Sequence, residues 1–86
     1  MHNYIFHDQV QKFLKKQNRE FLINFQDKLT ILCRNPMTRT LDIKPLIGLK
    51  ACYRLRIGKY RFLYEIRPAE AMIIFFKAGA RGDIYK

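Results

Sequence analysis

The sequence predicts an α+β fold: an N-terminal strand and a two-helix hairpin packed on a small antiparallel sheet, in the order β-α-α-β-β-β. Three observations predict it. Apolar residues recur at three- and four-residue steps as far as Asn35, the signature of amphipathic helices. From Ala51 onward apolar and polar residues alternate, the signature of strands with one covered face. A chain of 86 residues fills one hydrophobic core and not two, so residues 1–86 form one domain.

Tyr4, Ile5 and Phe6 form a short β-prone run, and Asp8 with Gln11 three positions later reads as the cap of a first helix. That helix sets Val10, Phe13 and Leu14 against Lys12, Lys15 and Lys16. Asn18 caps a second helix, in which Phe21, Leu22, Phe25, Leu29 and Leu32 share a face until Asn35-Pro36 stops it. The stretch from Met37 to Lys50 contains Pro45 and no sustained period, and reads as an irregular connection.

In the next run Tyr53, Leu55 and Ile57 point one way, and Cys52, Arg54 and Arg56 the other. Gly58-Lys59 suits a two-residue type II′ hairpin with Gly first. Tyr60, Phe62, Tyr64 and Ile66 then continue the apolar face. Arg67-Pro68-Ala69-Glu70 makes another turn, and Met72 to Phe76 is nearly continuous in apolar residues, as in a strand partly covered on both faces.

Pairing Ile57 with Tyr60 places Arg56 opposite Arg61, Arg54 opposite Leu63 and Glu65 opposite Cys52 on the polar side. Directly opposed like charges cost a few tenths of a kcal/mol up to roughly 1, so structure alone gives no reason for them. Arginine presents a fixed fork of donors that matches phosphate oxygens. Arg54, Arg56 and Arg61 therefore read as a phosphate clamp, with Arg81 and Tyr85 able to close over its edge. The plainer alternative is a solvated outer face. Tyr53, Tyr60 and Tyr64 share the apolar register and read as packing residues.

The chain carries 17 Lys and Arg against 7 Asp and Glu, a net charge of +10, whose self-repulsion an anionic partner would offset. A phosphate backbone, an anionic membrane or an acidic protein qualifies. The chain has no Trp and no long apolar run, which argues against membrane contact, a span or a signal peptide. Cys33 and Cys52 lack C-x-x-C spacing, and His2 and His7 are the only imidazoles. No metal, no cofactor and no disulfide framework are expected, and the cysteines suit a reducing, cytoplasmic setting.

The run from Leu46 through Tyr53-Arg54-Leu55-Arg56 and Gly58-Lys59-Tyr60-Arg61 to Ile66, with the closing Ala80-Arg81-Gly82-Asp83-Ile84-Tyr85, closely resembles the RelE/ParE superfamily of bacterial type II toxins, and the RelE branch most. The resemblance implies a toxin held by a small acidic antitoxin, acting on mRNA in the ribosome as a metal-independent endoribonuclease. By the same resemblance Arg56 and Arg61 stabilise the phosphorane, Arg54 holds the RNA backbone, Arg81 sits by the leaving oxygen and Tyr85 stacks on a base. Glu65 is a candidate general base.

Two departures from the family pattern stand out. Arginine replaces the lysine that can accept a proton, and its pKa above about 12 makes it a poor base. Ala80 stands where many relatives carry His or Lys before the arginine. Two alternatives stay open, a ParE-like inhibitor of DNA gyrase without nuclease activity and a catalytically degenerate RNA-binding homologue.

Overall fold

In the computed structural model the described residues are 1–80, so Arg81 and Tyr85 lie outside them. The element order is β1 (Asn3–Phe6), α1 (Asp8–Lys15), α2 (Arg19–Arg34), β2 (Asp42–Pro45), β3 (Cys52–Ile57), β4 (Tyr60–Arg67), a 3-10 turn (Pro68–Glu70) and β5 (Met72–Ala80). The strands form one five-stranded sheet in the order β1-β5-β4-β3-β2. It is the α+β architecture expected, with two differences.

The first is β2. The stretch expected to be irregular contains a short edge strand, which pairs antiparallel with β3 from Asp42↔Arg56 to Pro45↔Tyr53. Four residues ending in proline carry no usable period, and proline is tolerated because an edge strand has one unpaired side. The second is that the sheet is mixed: β1 pairs parallel with β5, Asn3↔Met72 through Phe6↔Phe75. The helices carry the chain from β1 to the opposite edge of the sheet, and β2, β3 and β4 then lead back to β5, which together make the long connection that a parallel pair requires.

Helix α1 starts one residue away from the expected cap. His7 is the N-cap and makes no side-chain capping bond. Asp8 lies instead in the first turn, where its charge favours the helix dipole. Gln11 donates back to the Phe6 carbonyl at 2.9 Å. The Asn18 cap is as expected, its side chain accepting from the Phe21 amide at 2.8 Å, an arrangement typically worth ~1 kcal/mol.

One face of the sheet carries the core. Val10, Phe25, Leu29 and Leu32 of the helices meet Leu55, Ile57, Phe62, Tyr64, Ile66, Ile73 and Phe75 of the strands. Phe62 sits at its centre, fully buried, 4.8 Å from the Phe25 ring and 5.5 Å edge-on to Phe13. Tyr64 is also fully buried, and Tyr53 and Tyr60 pack partly buried against the core. The register shifts between Leu63 and Tyr64, which pair with Lys77 and Phe75. Phe76 is thus a bulge residue, and beyond it Lys77 points to the polar face while Ala78 returns to the core.

Gln9 extends the sheet past the end of β1. Its side-chain amide donates to the Ala78 carbonyl and accepts from the Ala78 amide, both at 2.7 Å. A side chain thereby satisfies both backbone groups of Ala78, which the short β1 does not reach.

Candidate nucleic-acid interface

The hairpin turns at Gly58, whose φ of +59° is freely available to glycine alone. Lys59 is absent from the positive-φ positions, so the turn has the single left-handed residue of type II′ and fixes the register of β3 on β4. Ile57 pairs with Tyr60, Arg56 with Arg61, Arg54 with Leu63 and Cys52 with Glu65, as the sequence predicts.

Extending these pairs across the sheet gives transverse rows on the face away from the helices. The first runs Asp42, Arg56, Arg61, Gly79 through β2, β3, β4 and β5. The second runs Lys44, Arg54, Leu63, Lys77. Neighbours within a row stand about 5 Å apart and alternate residues along a strand about 7 Å apart. Lys44, Arg54, Arg56, Arg61 and Lys77 therefore occupy one small patch, with Asp42 the carboxylate in these two rows among the described residues. Gly79 leaves one end of the first row without a side chain.

The arginines on this face are not equivalent. Arg54 is buried, and its Nη2 lies 2.6 Å from Asp42 Oδ1. Its Nε is enclosed with no hydrogen-bond partner. Arg56 has a half-exposed side chain, and its Nε reaches Asp42 Oδ2 at 2.8 Å. One carboxylate thus bridges two guanidiniums. A buried charge costs several kcal/mol unless it is paired, so Asp42 is what permits Arg54 its position. Sequence reasoning missed Asp42 because only pairing with β3 reveals that it lies beside Arg56.

Glu65 is on the same face but farther off. It lies four residues beyond Arg61 on β4, about 13 Å along the strand, and its carboxylate faces Arg67 at 3.5 Å. Opposite it, burial and then the Glu65 charge push the Cys52 thiol up, which keeps it protonated at neutral pH and poorly nucleophilic. Burial likewise raises Cys33, which sits on the helix side of the sheet. Both cysteines are free. No helix among the described residues is long and apolar enough to cross a membrane.

The family model for the ParE toxin of the type II toxin-antitoxin system, parDE, matches residues 4–85. RelE1 of Methanocaldococcus jannaschii is 36% identical over 81 residues, covering 93% of this chain and 90% of that protein. Among solved structures, a chain of the archaeal RelE-RelB complex from Pyrococcus horikoshii superimposes with a TM-score of 0.82 at 28% identity, covering 95% of this chain and 97% of its own length. The isolated RelE toxin of Escherichia coli has the same fold, with a TM-score of 0.78 at 18% identity and coverage of 99% and 92%. A family match over nearly the whole length, on a fold shared with RelE, places this chain in the RelE/ParE superfamily as the toxin of a type II toxin-antitoxin system.

Proposed function

We propose that this toxin is a ribosome-dependent mRNA endoribonuclease of the RelE kind, held inactive by an acidic antitoxin in the cytoplasm. The observation that carries the reading is the opposed pair Arg56↔Arg61, backed by the cationic row of Lys44, Arg54 and Lys77. The likeness to RelE1 and to archaeal RelE in complex with RelB supports both the branch and the kind of partner.

In the reaction the ribose 2′-oxygen attacks the adjacent phosphorus and the bond from phosphorus to the 5′-oxygen breaks. The products are a cyclic phosphate and a free 5′-hydroxyl, and no metal is required. Charge gathers on the non-bridging oxygens in the transition state, where preorganised donors act most strongly. Arg56 and Arg61 fill that role, Arg54 supports the backbone-binding side of the patch, Arg81 serves the leaving oxygen and Tyr85 stacks on a base. Glu65 is retained as a base only if the bound RNA brings the 2′-hydroxyl to its end of the sheet.

The test is primer extension on a model mRNA incubated with the protein, with and without purified ribosomes. Cuts within A-site codons that need ribosomes are the expected result. The match to the ParE family model favours one rival, a gyrase inhibitor without nuclease activity. Absence of cuts under both conditions, together with inhibited gyrase supercoiling, would establish that rival.

A further inference from the structure

Asp42 stands out because it is an acid where charge selection would put none. It occupies the end of the row that continues through Arg56 and Arg61, and among the described residues it is the carboxylate that shares these rows with Lys44, Arg54, Arg56, Arg61 and Lys77. Its two oxygens are divided, Oδ1 to buried Arg54 at 2.6 Å and Oδ2 to Arg56 Nε at 2.8 Å. The two contacts differ in environment, since the Arg54 side chain is 9% exposed and the Arg56 side chain 49%.

We infer that Asp42 is a positioning residue, which anchors on Arg54 and holds Arg56 side-on by its Nε so that the terminal nitrogens of Arg56 are presented to a phosphate. Two arginines on opposed residues repel, and an untethered Arg56 would swing away from Arg61 along its flexible stem. Fixing Nε removes that freedom while the net charge of the patch stays positive. The Arg56 side chain is half exposed and its contact with Asp42 is through Nε. Binding and positioning thus separate: Asp42 weakens the attraction of the patch for RNA by one unit of charge and raises the fraction of Arg56 that is correctly oriented. The role in cleavage rests on the RNA reading above, whereas the tether itself does not.

Two measurements test it, and they fail independently. The first is arginine Nε–H NMR on the free protein, titrated with a single-stranded RNA oligonucleotide. The wild-type Arg56 Nε–H should exchange slowly with water and Asp42→Asn should make it fast. Equally fast exchange in both proteins overturns the tether, whatever the protein does to RNA.

The second is ribosome-dependent cleavage. Asp42→Asn should lower kcat by roughly 10- to 100-fold, the scale of a misplaced catalytic group, without raising KM. Its salt slope of RNA binding should steepen by up to about one. Asp42→Glu, which keeps the charge, should recover part of kcat. An unchanged kcat in Asp42→Asn, or a loss carried wholly by KM, overturns the positioning role.

If Asp42→Asn unfolds because Arg54 is stranded, the comparison moves to Arg54→Met alone against Arg54→Met with Asp42→Asn. A further fall in kcat in the double variant is expected, and equal activity overturns the proposal. If the wild type cuts no RNA, the endoribonuclease reading fails and the NMR result still decides the tether.

Discussion

Arg56 of β3 lies directly opposite Arg61 of β4, and the carboxylate that pairs with Arg56 comes from neither strand but from Asp42 on β2. The sheet edge is therefore part of the arginine pair. Truncating either arginine to Ala should abolish growth arrest on induction while the protein stays folded. For Arg61→Ala the relief of repulsion is a few tenths of a kcal/mol up to roughly 1, countered by whatever that side chain contributes locally. For Arg56→Ala the relief is set against loss of an exposed ion pair worth about 0–1 kcal/mol. Thermal melts should move by no more than a few degrees, and collapse of the fold in either variant would refute a functional reason for the pair.

Removing Asp42 should be costlier than removing Arg54, the buried arginine with which it pairs. Asp42→Ala leaves the buried Arg54 guanidinium without its partner, a change that typically costs about 3–5 kcal/mol at a fully buried site and somewhat less here because Asp42 itself is partly exposed. Arg54→Met removes the charge, keeps the apolar stem and should be close to neutral. Urea unfolding of the two variants decides it, and Arg54→Met being the less stable would mean that the ion pair stabilises the fold outright.

Alkaline pH should unfold the protein partly through Tyr64. Its hydroxyl is enclosed without a partner, and burial, then the nearby Tyr53, pushes the phenol well above its usual value of about 10. Between the unfolded and the raised folded pKa the native state holds a proton that the unfolded chain has lost. Stability from this group is thus fully present below about pH 10 and declines as pH rises further. Tyr64→Phe should flatten that decline and leave neutral-pH stability equal or better, since an unsatisfied hydroxyl is removed. The measurement is the difference between the two proteins in melting temperature from pH 8 to pH 11.

Both thiols should be slow to react. Burial raises Cys33 and Cys52, so little thiolate is available at pH 7.5. Iodoacetamide labelling followed by mass spectrometry should show delayed modification in the native protein and rapid modification in denaturant. Rapid native labelling of Cys52 would mean that the arginine face opens more than its packing suggests.

Phe62→Ala should cost about 3–5 kcal/mol, because the ring lies between the helices and the sheet. That is a large part of the total stability of a small domain. The variant should be largely unfolded at 37 °C by circular dichroism.

The register of the arginine pair was legible because Gly58-Lys59 allows one tight turn and alternation does the rest. The parallel seat of β1 was not. Tyr4, Ile5 and Phe6 announce a strand, but nothing local states which edge receives it. β2 was hidden for a related reason: its identity is conferred by β3, and with it went Asp42. Alternation places Arg54 on the polar face correctly yet says nothing of depth, so its burial had to come from packing. Glu65 shows the same limit, since its side of the sheet could be read but not its separation from Arg61. Arg81 and Tyr85 lie outside the described residues, and their roles rest on resemblance.

The Gln9 side chain bonds to the backbone of Ala78 across a sequence separation of 69 residues, and among the described residues the strand partner of β1 is β5. A growing polypeptide therefore holds β1 unpaired until β2, β3, β4 and then β5 have been translated. Contacts of such long range form late and slowly. The sheet that carries the arginines is thus completed only after β5 has been made and has docked between β1 and β4.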